Sequence, residues 1–298
     1  MATANTHGLK RYYDVNGWLF IAPALILIAT FLVYPIFRSL YLSFFSGKGM
    51  MMKFAGFGNI VRLSNDPVFL KALTNTTIFF VVQVPIMILL ALMLASLLNT
   101  ERLKFSGFFR TAIFLPCVAS LVAYSVLFKS MFSVDGVINQ ALMGIGLIAS
   151  PIGWLTEPFW AKVLVIIAIT WRWTGYNMIF YLAALQNIDR SIYEAARIDG
   201  VPAWARFTYL TVPMLKPVIL FTTIISTIGT IQLFDEVYNL TEGKGGPADA
   251  TITLSLYIYN LTFRYMPSFG YAATVSYVIV VMVAVLSFLQ FYAARDRT

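Results

Sequence analysis

Trp171, Arg172, Trp173, Tyr176 and Asn177 crowd together inside an apolar run at 159–185. A guanidinium in the middle of such a run is costly unless it faces a protein partner or a wet cavity. Aromatic rings beside hydrogen-bonding groups are also what a sugar needs, because its C–H faces pack on rings while its hydroxyls require paired donors and acceptors. The same residues suit plain packing, with the tryptophans wedged between helices and Arg172 answering helix-end carbonyls or an acid such as Glu236. Further along, Gly229 and Gln232 place a small and a polar residue on the run 208–234, where a helix seam could open into a substrate path. Asp235 and Glu236, just beyond, are expected at the water boundary as interfacial anchors.

Catalytic chemistry finds little to work with. His7 is the one histidine and Cys117 the one cysteine. A disulfide within the chain and a paired-cysteine metal site are therefore excluded, and a histidine-based nucleophile system has little support. No metal ligand set and no catalytic residue is expected. Gly47-Lys48 and Gly243-Lys244 both lack the upstream glycine and the downstream Ser or Thr of a phosphate-cradling loop. If ATP drives this protein, another chain holds the nucleotide.

A polar segment at 191–217, SIYEAARIDGVPAWARFTYLTVPMLKP, separates two apolar runs. Ser191 followed by Glu194 predicts a capping box at the start of a short helix. Gly200 is placed to end that helix in the left-handed conformation, and Pro202 suits the first turn of a second one. The face carrying Ala195, Ala196 and Gly200 is nearly bare of side chain, so another protein's backbone could come close to it. Beyond the fifth run, Gly243, Gly245, Gly246 and Pro247 form a loop whose flexibility would suit docking of a soluble partner, or else a plain solvated turn.

At these residues the chain resembles the permease subunits of binding-protein-dependent ABC importers. Their signature is Glu-Ala-Ala, three residues, Gly, nine residues, then Ile-x-Leu-Pro, and Glu194, Ala195, Ala196, Gly200 and Pro213 match it. Leu210 and Val212 replace the usual Ile and Leu, and both positions stay apolar. The stretches at 54–76 and 243–263 are similar to those flanking the membrane core in the carbohydrate branch. The resemblance implies a type I importer permease fold, with a coupling loop at about 190–206 that carries Glu194, Ala195, Ala196, Asp199, Gly200 and Pro213 to the ATPase. It also implies a second homologous permease subunit, two ATPase subunits holding ATP and Mg, and a periplasmic binding protein that docks near Gly243 to Pro247. The implied cargo is a sugar, a di- or oligosaccharide such as lactose.

Composition points to the membrane independently. With 59% hydrophobic and 11% charged residues among 298, the chain has too few polar side chains to clothe a soluble surface. Its net charge of +8 needs no polyanion, because the basic residues flank apolar runs. Runs at 18–45, 72–98, 108–128, 159–185, 208–234 and 271–292 each approach or exceed the roughly 20 residues of a spanning helix. We therefore expect an all-α membrane protein of six spans, with 1–70 leading into a permease core at 71–293 and a tail at 294–298. The run 18–45 reads as an uncleaved first span rather than a signal peptide. The apolar stretch 251–263 is short for a span and is expected to be an interfacial helix.

Lys10 and Arg11, then Arg102, Lys104 and Arg110, then Arg190, Arg197 and Arg206, and finally Arg295 and Arg297 all fall on one face of a six-span chain. The retention of basic loops in the cytoplasm places that face, both termini and the Glu194 loop inside. Arg38, Lys48, Lys53, Arg62 and Lys71 around the first outward loop run against the pattern. An ion-coupled secondary transporter is the alternative, but it would be expected to bury coupling acids. The second, third and sixth runs contain none.

Overall fold

The computed structural model describes residues 6–49, 51–100 and 103–295. Arg102 and Arg297 lie outside the described residues, as do 296–298 of the tail and the side chains of His7, Lys10 and Arg11. The chain divides into two compact units, one of Met1–Arg62 with Leu261–Thr274 and one of Leu63–Asn260 with Val275–Thr298.

In the first unit, α1 (Thr6–Ile28) passes through a π turn at Ala29–Val33 into α2 (Tyr34–Ser43). Pro35 has no N–H and would crowd the carbonyl four residues back, and the wider turn before it absorbs the misfit. A short antiparallel hairpin follows, β1 (Phe45–Lys48) against β2 (Met51–Phe54), with Phe45 opposite Phe54. The sequence reading had only a loop here. Asn59 ties the hairpin's base by donating to the Ser43 and Phe45 carbonyls, both at 2.8 Å. It lies in α3 (Gly58–Asn65). Arg62, on the same helix, lays its guanidinium 3.9 Å from the Tyr271 ring centre.

The second unit is built on two long helices, α4 (Pro67–Leu98) and α8 (Pro158–Leu185). Asp66 caps α4, accepting from the Val68 and Phe69 N–H groups at 3.0 and 3.1 Å, and Pro67 occupies a first-turn position where a missing N–H costs nothing. The buried residues of α4, among them Phe79, Gln83, Met87, Ala91, Ala95 and Leu98, recur every three or four positions. Those of α8 do the same through Met178, Tyr181 and Leu185, and the two stripes meet in one cluster that Leu215 completes. The opposite faces are apolar as well, because lipid rather than water lies there. Lipid also removes most of the hydrophobic drive between helices, so close approach has to supply the attraction. Gly175 shows this: a Cβ there would collide with the Ile113 carbonyl.

Ile113 belongs to α5 (Ser106–Val118), which bends by 100° into α6 (Leu121–Met131). Pro116 removes a bond from the last turn of α5, and Ala119 and Ser120 take extended backbone. The short α7 (Val137–Gly144) follows. After α8 come α9 (Arg190–Ile198), α10 (Ala203–Arg206), a π turn at Phe207–Thr211 and α11 (Val212–Met214). A second break at Leu215 then gives α12 (Lys216–Ile231), with 74° between the two helical arms. Pro217 clashes with the carbonyl four residues earlier and lacks the N–H to bond it, which accounts for that break. Next is α13 (Asp235–Thr241).

Among the described residues, four helices are thus long and apolar enough to cross a membrane, and up to six spans result if each bent pair counts as one. The third and fifth spans expected from hydropathy are bent pairs of helices. The 251–263 stretch departs further from expectation. It holds α14 (Leu254–Tyr259), and Thr251, Ile252, Thr253, Leu254 and Leu256 are almost fully enclosed by protein. Asn75 donates to the Asp249 and Ile252 carbonyls, and Thr76 accepts from the Leu254 N–H. An interfacial helix would leave one face to water, whereas this one has its polar backbone answered by α4. The last helix, α15 (Phe269–Arg295), begins in the first unit and ends in the second.

Candidate functional site

The second unit encloses a cavity of about 560 Å³ between α4, α8, α12 and the start of α13. Arg172, Trp173, Tyr176 and Asn177 line it from α8, and Gly229 and Gln232 from the end of α12. Helical spacing explains the first group, since 172, 173, 176 and 177 share one face. Trp171 does not: it points away, stacks against Tyr124 at 5.9 Å between ring centres, and lines a separate apolar groove on α8.

Glu236 is buried in the cavity wall instead of standing at the water boundary. The reason is that α12 stops at Ile231, and the chain turns at Phe234 before α13 carries Glu236 back toward α8. Its carboxylate accepts from the Trp173 indole N–H at 2.9 Å and lies 3.8 Å from Arg172 Nε. Asp235 stays exposed. The Arg172 guanidinium also lies 5.3 Å from the Tyr124 ring centre and 5.7 Å from that of Trp173. Its Nε and Nη1 are enclosed without a hydrogen-bond partner. Buried donors of this kind nearly always find one, so a ligand or water that accepts from them is called for.

A second polar cluster, missed in the sequence, faces the same space. Thr230 donates to Gln83 at 3.0 Å, Gln83 reaches the Met87 sulfur at 3.2 Å, and Ser226 reaches Asn177 at 3.4 Å. Asn177 also donates to the Trp173 carbonyl at 3.1 Å. The signal was a glutamine in the otherwise apolar stretch 78–95, where an uncharged amide is easy to pass over. Hydroxyls, amides, one guanidinium and the aromatic side chains of Trp173, Tyr176 and Phe234 around a cavity can hold a polyhydroxylated molecule. They offer no nucleophile paired with a base, and among the described residues no cluster of His, Cys, Asp and Glu could hold a metal.

The 190–206 loop is a bent helix pair. Its cap is Asp189 rather than Ser191: the Asp189 carboxylate accepts from the Ser191 N–H at 2.9 Å, and this bond holds the carboxyl below the ordinary aspartate range. The expected capping box is therefore absent, and Glu194 is exposed without a side-chain hydrogen bond among the described residues. Gly200 has φ +73 and ends α9, with its own N–H on the Arg197 carbonyl at 3.1 Å and the Val201 N–H on the Ala196 carbonyl at 2.9 Å. That pair of bonds satisfies carbonyls that the helix end would otherwise strand. Pro202 caps α10 from one residue outside it, and the Arg206 guanidinium folds back onto the Val201 carbonyl. Tyr193 meets Thr211 at 3.1 Å. Ala196 turns inward and is buried, so the bare face is smaller than expected, while Ala195, Asp199, Gly200 and Pro213 remain exposed. Ile198, at 87% exposure, and Trp204, at 65%, add apolar surface that the sequence did not single out.

The Gly243–Pro247 loop is tied down rather than flexible. Gly243, Gly245 and Gly246 all have φ near +70, and Gly243 and Gly245 are buried. The Thr251 N–H bonds the Gly245 carbonyl at 2.9 Å, and Lys71 donates to the Ala248 carbonyl. Lys244 stays exposed, 3.7 Å from Glu242, which also pairs with Lys129 at 3.1 Å.

A family model describing the inner membrane component of binding-protein-dependent transport systems matches residues 55–298. The chain belongs to that family. This permease is 77% identical over 297 residues to the lactose transport system permease protein LacF of Rhizobium radiobacter, with 100% of both chains covered. It is 34% identical over 280 residues to the arabinooligosaccharides transport system permease protein AraP of Halalkalibacterium halodurans, covering 93% of this chain and 87% of that one. The fold matches a chain in the crystal structure of a bacterial alginate ABC transporter in complex with its alginate pentasaccharide-bound periplasmic protein. There the TM-score is 0.80 over 97% of this chain and 96% of that one, at 24% identity. The permease fold expected from the Glu194 motif is the fold observed.

Proposed function

We propose that this permease forms half of the translocation pathway of an ATP-driven importer carrying a di- or oligosaccharide, lactose foremost, into the cytoplasm. The observation that carries the reading is its likeness along its whole length to a lactose transport permease. The cavity fits it chemically, with aromatic faces and amide, hydroxyl and guanidinium groups lining one space.

In this reading both termini and the 190–206 loop are cytoplasmic. A second homologous permease supplies the other half of the pathway, and a periplasmic binding protein delivers the sugar near Gly243 to Pro247. Two partner ATPases hold ATP and Mg, and this chain holds no cofactor and performs no chemistry on the sugar. ATP-driven closure of the ATPases moves α9 and α10, through Glu194, Ala195, Ala196, Asp199 and Gly200. The exposed Ile198 and Trp204 add apolar contact there. The break at Leu215 lets that displacement tilt α12 and so reshape the cavity its far end lines. Arg172, Trp173, Tyr176, Asn177, Gly229 and Gln232 meet the sugar, and Trp171 packs against α6.

The test is uptake of labelled lactose by proteoliposomes holding the permease pair and ATPases, with binding protein outside and ATP inside. Uptake should require both ATP and binding protein and survive collapse of ion gradients. Uptake that persists without ATP and stops when the gradients collapse would overturn the reading.

A further inference from the structure

At the opposite end of α12 from the sugar cavity lies a second cavity, of about 490 Å³, between the first turn of α12 and the last turns of α15. Lys216 and Arg295 are its charged lining residues, and Pro217, Leu220, Phe288 and Tyr292 form much of the remaining wall. Among the described residues, no acidic side chain lines it. Lys216 Nζ is enclosed and has no hydrogen-bond partner. An enclosed ammonium without an acceptor among the described residues is a costly arrangement unless an anion enters. The positive end of the α12 dipole points the same way.

The position selects the anion. The cavity sits where two membrane helices end, and its walls change from cationic near Lys216 and Arg295 to aromatic and aliphatic along Leu220 and Phe288. That gradient matches a phospholipid, with a phosphate at the charged end and an acyl chain along the apolar one. Basic pockets between helix ends at a membrane surface bind anionic headgroups in this manner. We propose that this cavity is a binding site for an anionic glycerophospholipid, whose phosphate pairs with Lys216 and Arg295. A lipid seated there bridges the start of α12 to the end of α15. The same two helices are joined deeper in by the Gln290 amide, which donates to Thr227 at 2.7 Å. Because α12 is joined to the 190–206 loop through the π turn and α11, an occupied site stiffens the element that this loop would move.

The full-length chain, purified in neutral detergent and stripped of lipid, would be incubated with phosphatidylglycerol, phosphatidylcholine or inorganic phosphate and weighed by native mass spectrometry. One phosphatidylglycerol per chain should be retained in preference to phosphatidylcholine. Lys216→Gln should weaken that retention about fivefold, the order expected for one cation at an anionic headgroup. Lys216→Arg should keep it, and Lys162→Gln, a cation outside the cavity, should leave it unchanged. Equal retention by wild type and Lys216→Gln, equal retention of the two lipids, or phosphate binding as tightly as phosphatidylglycerol would each overturn the proposal. Retention lost equally in Lys162→Gln would do so too, because it would mean that surface charge alone attracts the lipid.

Discussion

The Trp173 indole donates to the Glu236 carboxylate at 2.9 Å, and this one bond joins the middle of α8 to α13, the helix that follows the end of α12. It places a carboxylate beside Arg172 in a wall that would otherwise hold an unpaired guanidinium. Removing either charge leaves the other buried alone, a change that costs roughly 3–5 kcal/mol in protein interiors. Removing both leaves no such charge.

Arg172→Met or Glu236→Gln alone should therefore lower the amount of permease in the membrane, and the double variant should recover it. Uptake should stay low in the double variant, because the donors that face the cavity are gone. Arg172→Lys should restore uptake only in part, since an ammonium lacks the planar fork. Immunoblots of membranes beside uptake rates separate the two effects. Normal uptake by the double variant would mean that the pair only holds the fold.

Gly200 should tolerate size but not a fixed backbone preference. Its φ is +73, and a Cβ there would meet nothing within 4 Å. Gly200→Asn should be mild, while Gly200→Val should cost at least about 1–2 kcal/mol in the turn, because a β-branched residue resists the left-handed region. ATP hydrolysis stimulated by loaded binding protein is the readout, and equal rates in the two variants would count against a conformational cause.

The first turn of α9 should respond to acid. The Asp189 carboxyl is held below its ordinary value of 3.8, first by the Ser191 N–H and then by the Ser191 side chain. A depressed folded-state value means that the cap is fully effective above 3.8 and is lost only as pH falls through the lower value. Hydrogen exchange of the α9 first-turn amides, corrected for intrinsic rates, should be flat at neutral pH and rise only in acid. Asp189→Asn, which keeps the acceptor oxygen, should remove that acid dependence.

Apolar run lengths and the Glu194 motif were enough to read the membrane class and the family, while six crossings hold if each bent pair is one span. The bends were harder. Pro116 and Pro217 stand in apolar runs that hydropathy scores as continuous, and whether a proline kinks a helix or breaks it depends on what can answer the freed carbonyls. Glu236 was misplaced for the same reason, because a fifth span continued straight past Gln232 carries it out to water. The burial of 251–263 depends on Asn75 and Thr76, about 175 residues away in the chain, a pairing that local pattern cannot show. Ser191 reads as the cap because the Ser-x-x-Glu spacing fits a capping box, yet the helix begins at Arg190 and Asp189, also a good cap, precedes it. In the cavity, helical spacing was sufficient to group Arg172, Trp173, Tyr176 and Asn177, whereas Trp171 was included by adjacency alone.

In the proposed function, ATPase closure enters this permease through the 190–206 loop. Glu194 is exposed and takes no part in capping α9, so its replacement should leave the loop's own structure intact. Reversing its charge at a partly desolvated interface should instead cost about 2–5 kcal/mol of binding, a loss of thirtyfold or more. Membranes carrying Glu194→Lys would be solubilised, the ATPase retained on the permease pair quantified against wild type, and lactose uptake measured in the same cells. The account predicts near-normal permease in the membrane, little ATPase retained and no uptake. Full ATPase retention with normal uptake would contradict it.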